Sequence, residues 1–251
     1  MNASGIDAST IVPLQHSAAM RLLEAELQRT VEMLKELKAD DWSRATACPD
    51  WDVRRMYLHV LGACAASASM MEGLHQLRVA MGRRKRGGGP LEANLSAVQV
   101  AEREAIGPRA LVAQLSAIAP KTVKARTRIP RVVRRIKIGV DGPVVEKWTL
   151  GYLIDTIYLR DLWMHRQDAT GATNKEMVIT ADIDGRIVSD VVGEWARRHG
   201  QPFSLELGGA AGGHFTAGVG GERIVVDALE FCRTLSGRSR GVGLLATVVP
   251  F

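Results

Sequence analysis

Long apolar runs are missing from this chain. Its 251 residues contain no uncharged apolar stretch of the roughly 20 residues that a membrane-crossing helix needs, so neither a membrane span nor a membrane partner is expected. The first twenty residues also lack a basic segment followed by an apolar run, and no signal peptide is expected. Cysteine is scarce. Cys48, Cys64 and Cys232 are odd in number, widely spaced and include no Cys-x-x-Cys pair, which argues against a disulfide scaffold or a structural zinc finger. The expected compartment is the reducing cytoplasm. A phosphate loop is absent too, because Gly208 to Gly213 lacks the Lys and Ser/Thr and opens no helix. No internal repeat is visible.

What is present is the composition of an ordinary soluble protein, 46% hydrophobic and 24% charged. The length allows one large domain or two modest ones, and two are expected. The net charge of +6 is unevenly spread. Arg83, Arg84, Lys85 and Arg86 form one basic run, and eight basic residues with no acidic one lie between Lys121 and Lys137, so the remainder is net acidic. Such runs can draw nucleic acid, acidic lipid or an anionic substrate. Neither is interleaved with aromatics for base stacking, and Gly87 to Pro90 follows the first like a solvated loop. A solvated charged face is the expectation, and nucleic acid is not an expected partner.

Residues 1 to 12 are small and polar and read as an unstructured lead. Leu22, Leu23, Leu27, Val31, Leu34 and Leu37 mark a first amphipathic helix, and Pro49 with Asp50 and Asp52 precedes a second, from Val53 to about Met81. Its run from Gly62 to Ser69 has small side chains that admit a neighbouring helix closely. Leu91 to Ile118 is a third helical region, interrupted at Gly107 and Pro108. The basic run then reads as a crossover with some strand, and Asp141, Gly142 and Pro143 as a turn. Four long helices with a long crossing connection imply an up-and-down bundle. After a short linker past Asp168 the texture changes. Helices at Ile183 to His199 and Asp227 to Leu235, and strands at Phe203 to Leu207, His214 to Ala217, Arg223 to Val226 and Gly243 to Val249, describe a small α+β module. The two domains are therefore placed at 1–170 and 171–251.

The most telling stretch is Leu150 to Asp168. Read as a helix capped by Thr149, it puts Leu150, Ile154, Ile157, Asp161, Met164, His165 and Asp168 on one stripe. An acid and an imidazole thus stand where an apolar face is required, and buried charges need partners. Asp161 and His165, four apart, lie one above the other, and a metal ion suits both. His59 sits at the margin of the second helix's stripe, where a lone histidine is more often structural than a ligand. His75, His16 and His199 compete for the role but lie near polar residues or outside the apolar stripes. Two histidines and one carboxylate leave positions open for water or substrate, as closed structural zinc sites do not. His59, Asp161 and His165 are accordingly the expected metal ligands.

The segment from Trp42 through Cys48, Pro49, Trp51, Val53 and Arg54 to His59 resembles the signature of the mycothiol-dependent maleylpyruvate isomerases, within the DinB-like superfamily of metal-binding four-helix bundles. The segment RDLWMHRQD resembles that family's second metal motif, and VVDALEFCRTLSGR its smaller C-terminal domain. The resemblance implies a mainly α fold, a DinB-like four-helix bundle followed by a small α+β C-terminal domain. It places the family's three metal ligands on His59, Asp161 and His165. Asp161 stands where the family has Glu, one methylene longer. Arg238, after Gly237, matches the family's C-terminal substrate-holding arginine and is the expected catalytic residue.

The function this implies is a metal-dependent isomerase or thiol transferase. A divalent metal, zinc first with nickel or iron(II) as alternatives, would activate mycothiol or a related low-molecular-weight thiol for addition to a small anionic or electrophilic substrate. Arg83, Arg84 and Arg238 are the basic residues available to hold carboxylates of thiol or substrate, the first two as the cosubstrate-binding pair. A homodimer is compatible with all of this. Two rivals stand beside it: a non-catalytic metal-stabilised bundle whose basic run binds nucleic acid or a partner protein, and an iron(II) oxygenase.

Overall fold

The computed structural model describes residues 5–141 and 145–251, and these form two compact units. One is His16–Glu176; the other joins residues 5–15 to 177–251. The expected turn at Asp141, Gly142 and Pro143 falls largely outside the described residues.

The first unit is mainly helical. Its helices are α1 (His16–Lys35), α2 (Val53–Ala68), α3 (Met70–Gly87), α4 (Leu91–Ala101), α5 (Pro108–Thr127), the single-turn α6 (Arg131–Arg134) and α7 (Leu150–Tyr152), and α8 (Tyr158–Thr173). Helix α1 packs on α5 and α8, and α2 packs on the same two, closing a four-helix bundle with α3 and α4 beside α2. Leu23, Leu27 and Leu34 of α1, Met56 and Tyr57 of α2, Leu111 and Leu115 of α5 and Trp163 of α8 fill its core. Burial of Leu-sized side chains at about 1.5–3 kcal/mol each is what holds the four together. A hairpin of β2 (Lys137–Val140) and β3 (Glu146–Thr149) packs Val140 and Trp148 against Ile157.

Three expectations need correction here. The second helix is two, because at Ser69 the backbone turns extended (φ −136°) and the serine side chain caps α3 by accepting from Glu72 N. The third region breaks before Gly107 and Pro108 as expected, but α5 runs on through Pro120 into the basic run rather than ending before it. A proline costs one backbone bond, and the buried face of Leu111, Leu115, Thr122 and Arg126 outweighs that loss. The run therefore supplies the last turns of α5, then α6, and only then strand. Finally, α8 continues past Asp168 to Thr173, where Asn174 ends it in the left-handed region (φ 53°) that asparagine tolerates.

The second unit is a four-stranded sheet with two helices. Its strands are β1 (Ile6–Asp7), β4 (Phe203–Gly208), β5 (Gly213–Ala217) and β6 (Glu222–Asp227), in the order β1-β5-β4-β6. Helices α9 (Asp184–His199) and α10 (Ala228–Leu235) bury Trp195 and Phe231 against Phe203; the ring centroids of Phe203 and Phe231 lie 4.8 and 5.4 Å from that of Trp195. The hairpin from β4 to β5 closes at Gly212, where a Cβ would stand 2.0 Å from the Leu207 carbonyl oxygen. Two further corrections belong to this unit. Residues Ile6 and Asp7 are not a loose lead but pair in parallel with Phe215 and Thr216. The expected last strand is a 3₁₀ turn, Gly243–Ala246, whose Leu244 carbonyl accepts from the Trp195 indole at 3.0 Å.

Candidate metal centre

Each side chain of the site is positioned by a local feature of the first unit. Before α2 the chain folds into a tight turn. The Thr46 hydroxyl accepts from Cys48 N and donates to the Trp51 carbonyl, and Trp51 N donates to the Cys48 carbonyl. Asp52 then caps α2, its carboxylate accepting from Arg55 N at 2.7 Å. Of the two aspartates offered by the sequence, Asp52 is the cap. The turn sets Cys48 and Trp51 above the second turn of α2, which carries His59. Trp51 stacks on His59 with centroids 5.0 Å apart and planes 29° apart.

The facing helix is less regular than its sequence suggests. Between α7 and α8 the five residues Leu153–Ile157 form a π-helical turn, which adds a residue to the turn and shifts the phase of α8 behind it. Its Asp155 is buried and paired with His16 Nδ1 at 2.7 Å and with Arg134 at 3.4 Å. Those ties anchor the turn to α1 and α6. Helix α8 then presents Asp161 and His165 toward His59.

The three expected ligands meet. His59 Nε2 lies 3.6 Å from Asp161 Oδ2, and His165 Nε2 lies 3.3 Å from Asp161 Oδ1. One donor atom from each residue falls within 4.8 Å of the others. At the bond lengths usual for zinc, neighbouring ligands of a tetrahedral ion are about 3.3–3.6 Å apart, so the two measured separations suit a shared divalent ion. His59 Nδ1 is buried without a hydrogen bond among the described residues. The donor set is the hard and borderline one that zinc, nickel and iron(II) accept. The residues therefore fit a metal.

A second group lies behind the first. His165 Nδ1 faces Asp168 Oδ2 at 3.7 Å, and the Cys48 thiol approaches the same carboxylate oxygen at 3.9 Å. Cys48, His165 and Asp168 themselves form a set with metal-ligand spacing. Tyr57 donates to the His165 carbonyl at 3.2 Å, and a buried pair from Arg166 to Glu26, at 2.6 and 3.0 Å, ties the next residue of α8 to α1. Sequence reasoning put Asp168 on the ligand stripe and Cys48 in the signature without giving either a role at the site. Their signals were the i+3 spacing to His165 and the Cys-Pro turn.

Electrostatics follow from this packing. For Asp161 burial alone would favour the neutral acid, but the charges and hydrogen bonds of His165 and His59 hold its carboxyl well below the ordinary range. For His165, 4% exposed in its side chain, burial disfavours charge, yet Asp161 with Asp168 and Cys48 raises it well above the usual imidazole value. Without an ion each of the two therefore favours its charged form more than the isolated group does.

The family model described as the mycothiol maleylpyruvate isomerase N-terminal domain matches residues 23–170, over half of the chain and a span that includes His59, Asp161 and His165. This chain belongs to that family. Solved structures agree in fold. The crystal structures of the mycothiol-dependent maleylpyruvate isomerase and of a single-site mutant of it each align with TM-score 0.57 and 14% identity, over 91% of this chain and 93% of theirs. Comparison with curated proteins gives no match. Like the solved isomerase in fold, the chain is mainly α, with a four-helix bundle followed by an α+β part.

Arg83 and Arg84 are on the last turns of α3, and Arg84 pairs with Asp141 at 2.8 Å. Arg238 belongs to the second unit, just after Gly237 (φ 83°), where its backbone N–H donates to the Arg233 carbonyl at 2.9 Å. Of the competing histidines, His16 is taken by Asp155 and His75 by Glu102, and His199 packs on Trp195 in the second unit. Among the described residues no helix is long and apolar enough to cross a membrane.

Proposed function

We propose that this protein is an enzyme that uses a divalent metal and a low-molecular-weight thiol, mycothiol or a relative, to isomerise or thiolate a small electrophilic substrate. The observation that carries this reading is the convergence of His59, Asp161 and His165 donor atoms within 4.8 Å on two facing helices of a bundle from the family. Zinc is the first choice of ion. When bound, the metal would lower the pKa of a thiol at an open position, so that a nucleophile is available near neutral pH.

The chain's own residues would do the rest. Asp168 faces Nδ1 of His165, which favours the tautomer with its proton there and leaves Nε2 free to ligate. Trp51 covers the His59 ring and excludes water from one side of the site. Asp161, a third exposed, is the ligand on the solvent side, where substrate enters. In the reaction the sulfur bonds to an electron-poor alkene carbon and the π electrons move onto the conjugated carbonyl. The resulting single bond rotates, and loss of the thiol restores the double bond in the other geometry. Protonation and release of the adduct instead gives thiol transfer. Arg238 is carried into this reading, as a holder of substrate carboxylate, by the resemblance of its segment.

Metal content tests the reading. Protein purified without chelator is expected to hold about one divalent ion per chain, and the Asp161→Ala variant to hold little. Wild type should also consume an electrophile such as maleylpyruvate only when thiol is present, and folded His165→Ala should not. Equal, negligible metal in wild type and Asp161→Ala would overturn the proposal. The nucleic-acid alternative loses ground because the basic run is not one face: Arg126 is buried and Arg134 turns to Asp155.

A further inference from the structure

The basic run contains a residue that a solvated face does not explain. Arg126, near the end of α5, is 4% exposed, and burying a guanidinium without a counter-ion is expensive. The groups it touches are all neutral. Nε and Nη2 donate to the Ser67 hydroxyl at 3.1 and 3.0 Å, and the guanidinium lies 4.3 Å over the centre of the Tyr158 ring. Among the described residues no carboxylate is within ion-pair distance of Arg126, and Nη1 makes no hydrogen bond. Burial alone would weaken its hold on its proton, and Asp161 is among the groups whose field offsets that.

These neighbours lead directly to the metal ligands. On α2, His59, Ala63 and Ser67 follow one another at intervals of four residues, so they share a face and span about 12 Å. All three are partly accessible in a helix whose other faces are largely buried. On α8, Tyr158 and Asp161 are one turn apart and also partly accessible. A partly accessible strip thus has the His59, Asp161 and His165 cluster at one end and the buried arginine beside the other.

We propose that Arg126 is a substrate-binding residue which holds a carboxylate of the small electrophile, with Ser67 and Tyr158 fixing its guanidinium, while the electrophilic carbon lies toward the metal ligands. The proposal rests on the thiol-dependent reading above and names what would select an anionic substrate within the bundle. A planar fork fixed on one edge by Ser67 leaves Nη1 and the second proton of Nη2 for bidentate contact with a carboxylate.

Maleate, with its dimethyl ester as the neutral control, is the probe. Titrated by calorimetry into full-length zinc-loaded protein, maleate is expected to bind wild type and the diester not to. Arg126→Gln should lower maleate affinity about 10- to 100-fold, the range expected for losing a charged hydrogen-bonded pair. Arg126→Lys, which keeps the charge without the fork, should fall between. Zinc affinity should be the same in all three, which separates this inference from the metal reading: loss of zinc binding by wild type sinks the latter alone. Equal maleate affinity in wild type and either folded variant overturns the role of Arg126. Should neither variant fold, a wild-type crystal structure with maleate decides, expected to place a carboxylate within hydrogen-bond reach of Nη1, about 3 Å, and overturning the proposal if the carboxylate is held elsewhere.

Discussion

His165 is gripped from both edges of its ring, and that explains why a charged pair can sit in the bundle. Asp161 stands at Nε2 and Asp168 at Nδ1, 3.3 and 3.7 Å away. The outer carboxylate orients the ring and raises its basicity, so Asp168→Asn is expected to weaken zinc binding about 10- to 100-fold while Asp161 and both histidines remain. Competition with a chromophoric chelator measures it, and circular dichroism shows whether the fold persists. The same pair fixes a pH dependence. His165 is raised above its ordinary value of 6.5, so its contribution to the metal-free fold is complete below that pH and is lost as pH rises through the raised value. Asp161 is depressed below 3.8, so its contribution is present above that pH and is lost as pH falls through the lowered value. The metal-free protein should be most stabilised between these limits. Zinc must displace the His165 proton, so the zinc-induced rise in Tm should grow as pH increases across the upper limit. Melting curves with and without zinc at several pH values check this, and a zinc gain that shrinks with rising pH would contradict it.

Helix geometry decides how such residues meet, and its legibility varied with how local the cause is. The amphipathic α1, the start of α2 and strands β4 to β6 were readable because their apolar periods are intrinsic to each segment. The π-helical turn Leu153–Ile157 was not, since an i→i+5 pattern is imposed by ties such as Asp155 to His16 and leaves no propensity signature. Arg126 was hidden for a related reason: inside a run of eight basic residues, only the packing of α5 on α2 and the contact with Tyr158 of α8 reveal which one turns inward. The cap at Asp52 is the element-scale feature most directly connected to the site, because it fixes where α2 begins and hence where His59 stands. Asp52→Ala should cost about 1 kcal/mol. In a chain of this size that lowers Tm by roughly 2–4 °C. Differential scanning calorimetry reads the loss, and an unchanged Tm would mean that another group caps the helix.

At the scale of the whole molecule, the three candidate ligands and the residues that hold them belong to the unit His16–Glu176, whereas Arg238 belongs to the other. The pairing of Ile6 and Asp7 with β5, far along the chain, could not be read locally, and it is why the unit boundary departs from a simple N-terminal and C-terminal split. The Glu26 to Arg166 pair, the four-helix core and the His16 to Asp155 tie all lie inside the first unit. The candidate metal site therefore draws on contacts within the first unit alone. A fragment of residues 16–176 is expected to fold as a helical protein and to bind one zinc ion with affinity within about tenfold of the full chain, a difference of roughly 1.4 kcal/mol. If Arg238 serves the reaction, the same fragment should hold zinc yet fail to consume a thiol-dependent substrate that the full chain turns over. Zinc titration followed by a turnover assay on both proteins separates the two requirements. A folded fragment that binds no zinc while the full chain does would show that His59, Asp161 and His165 do not suffice, whereas a zinc-loaded fragment with full turnover would remove Arg238 from the chemistry.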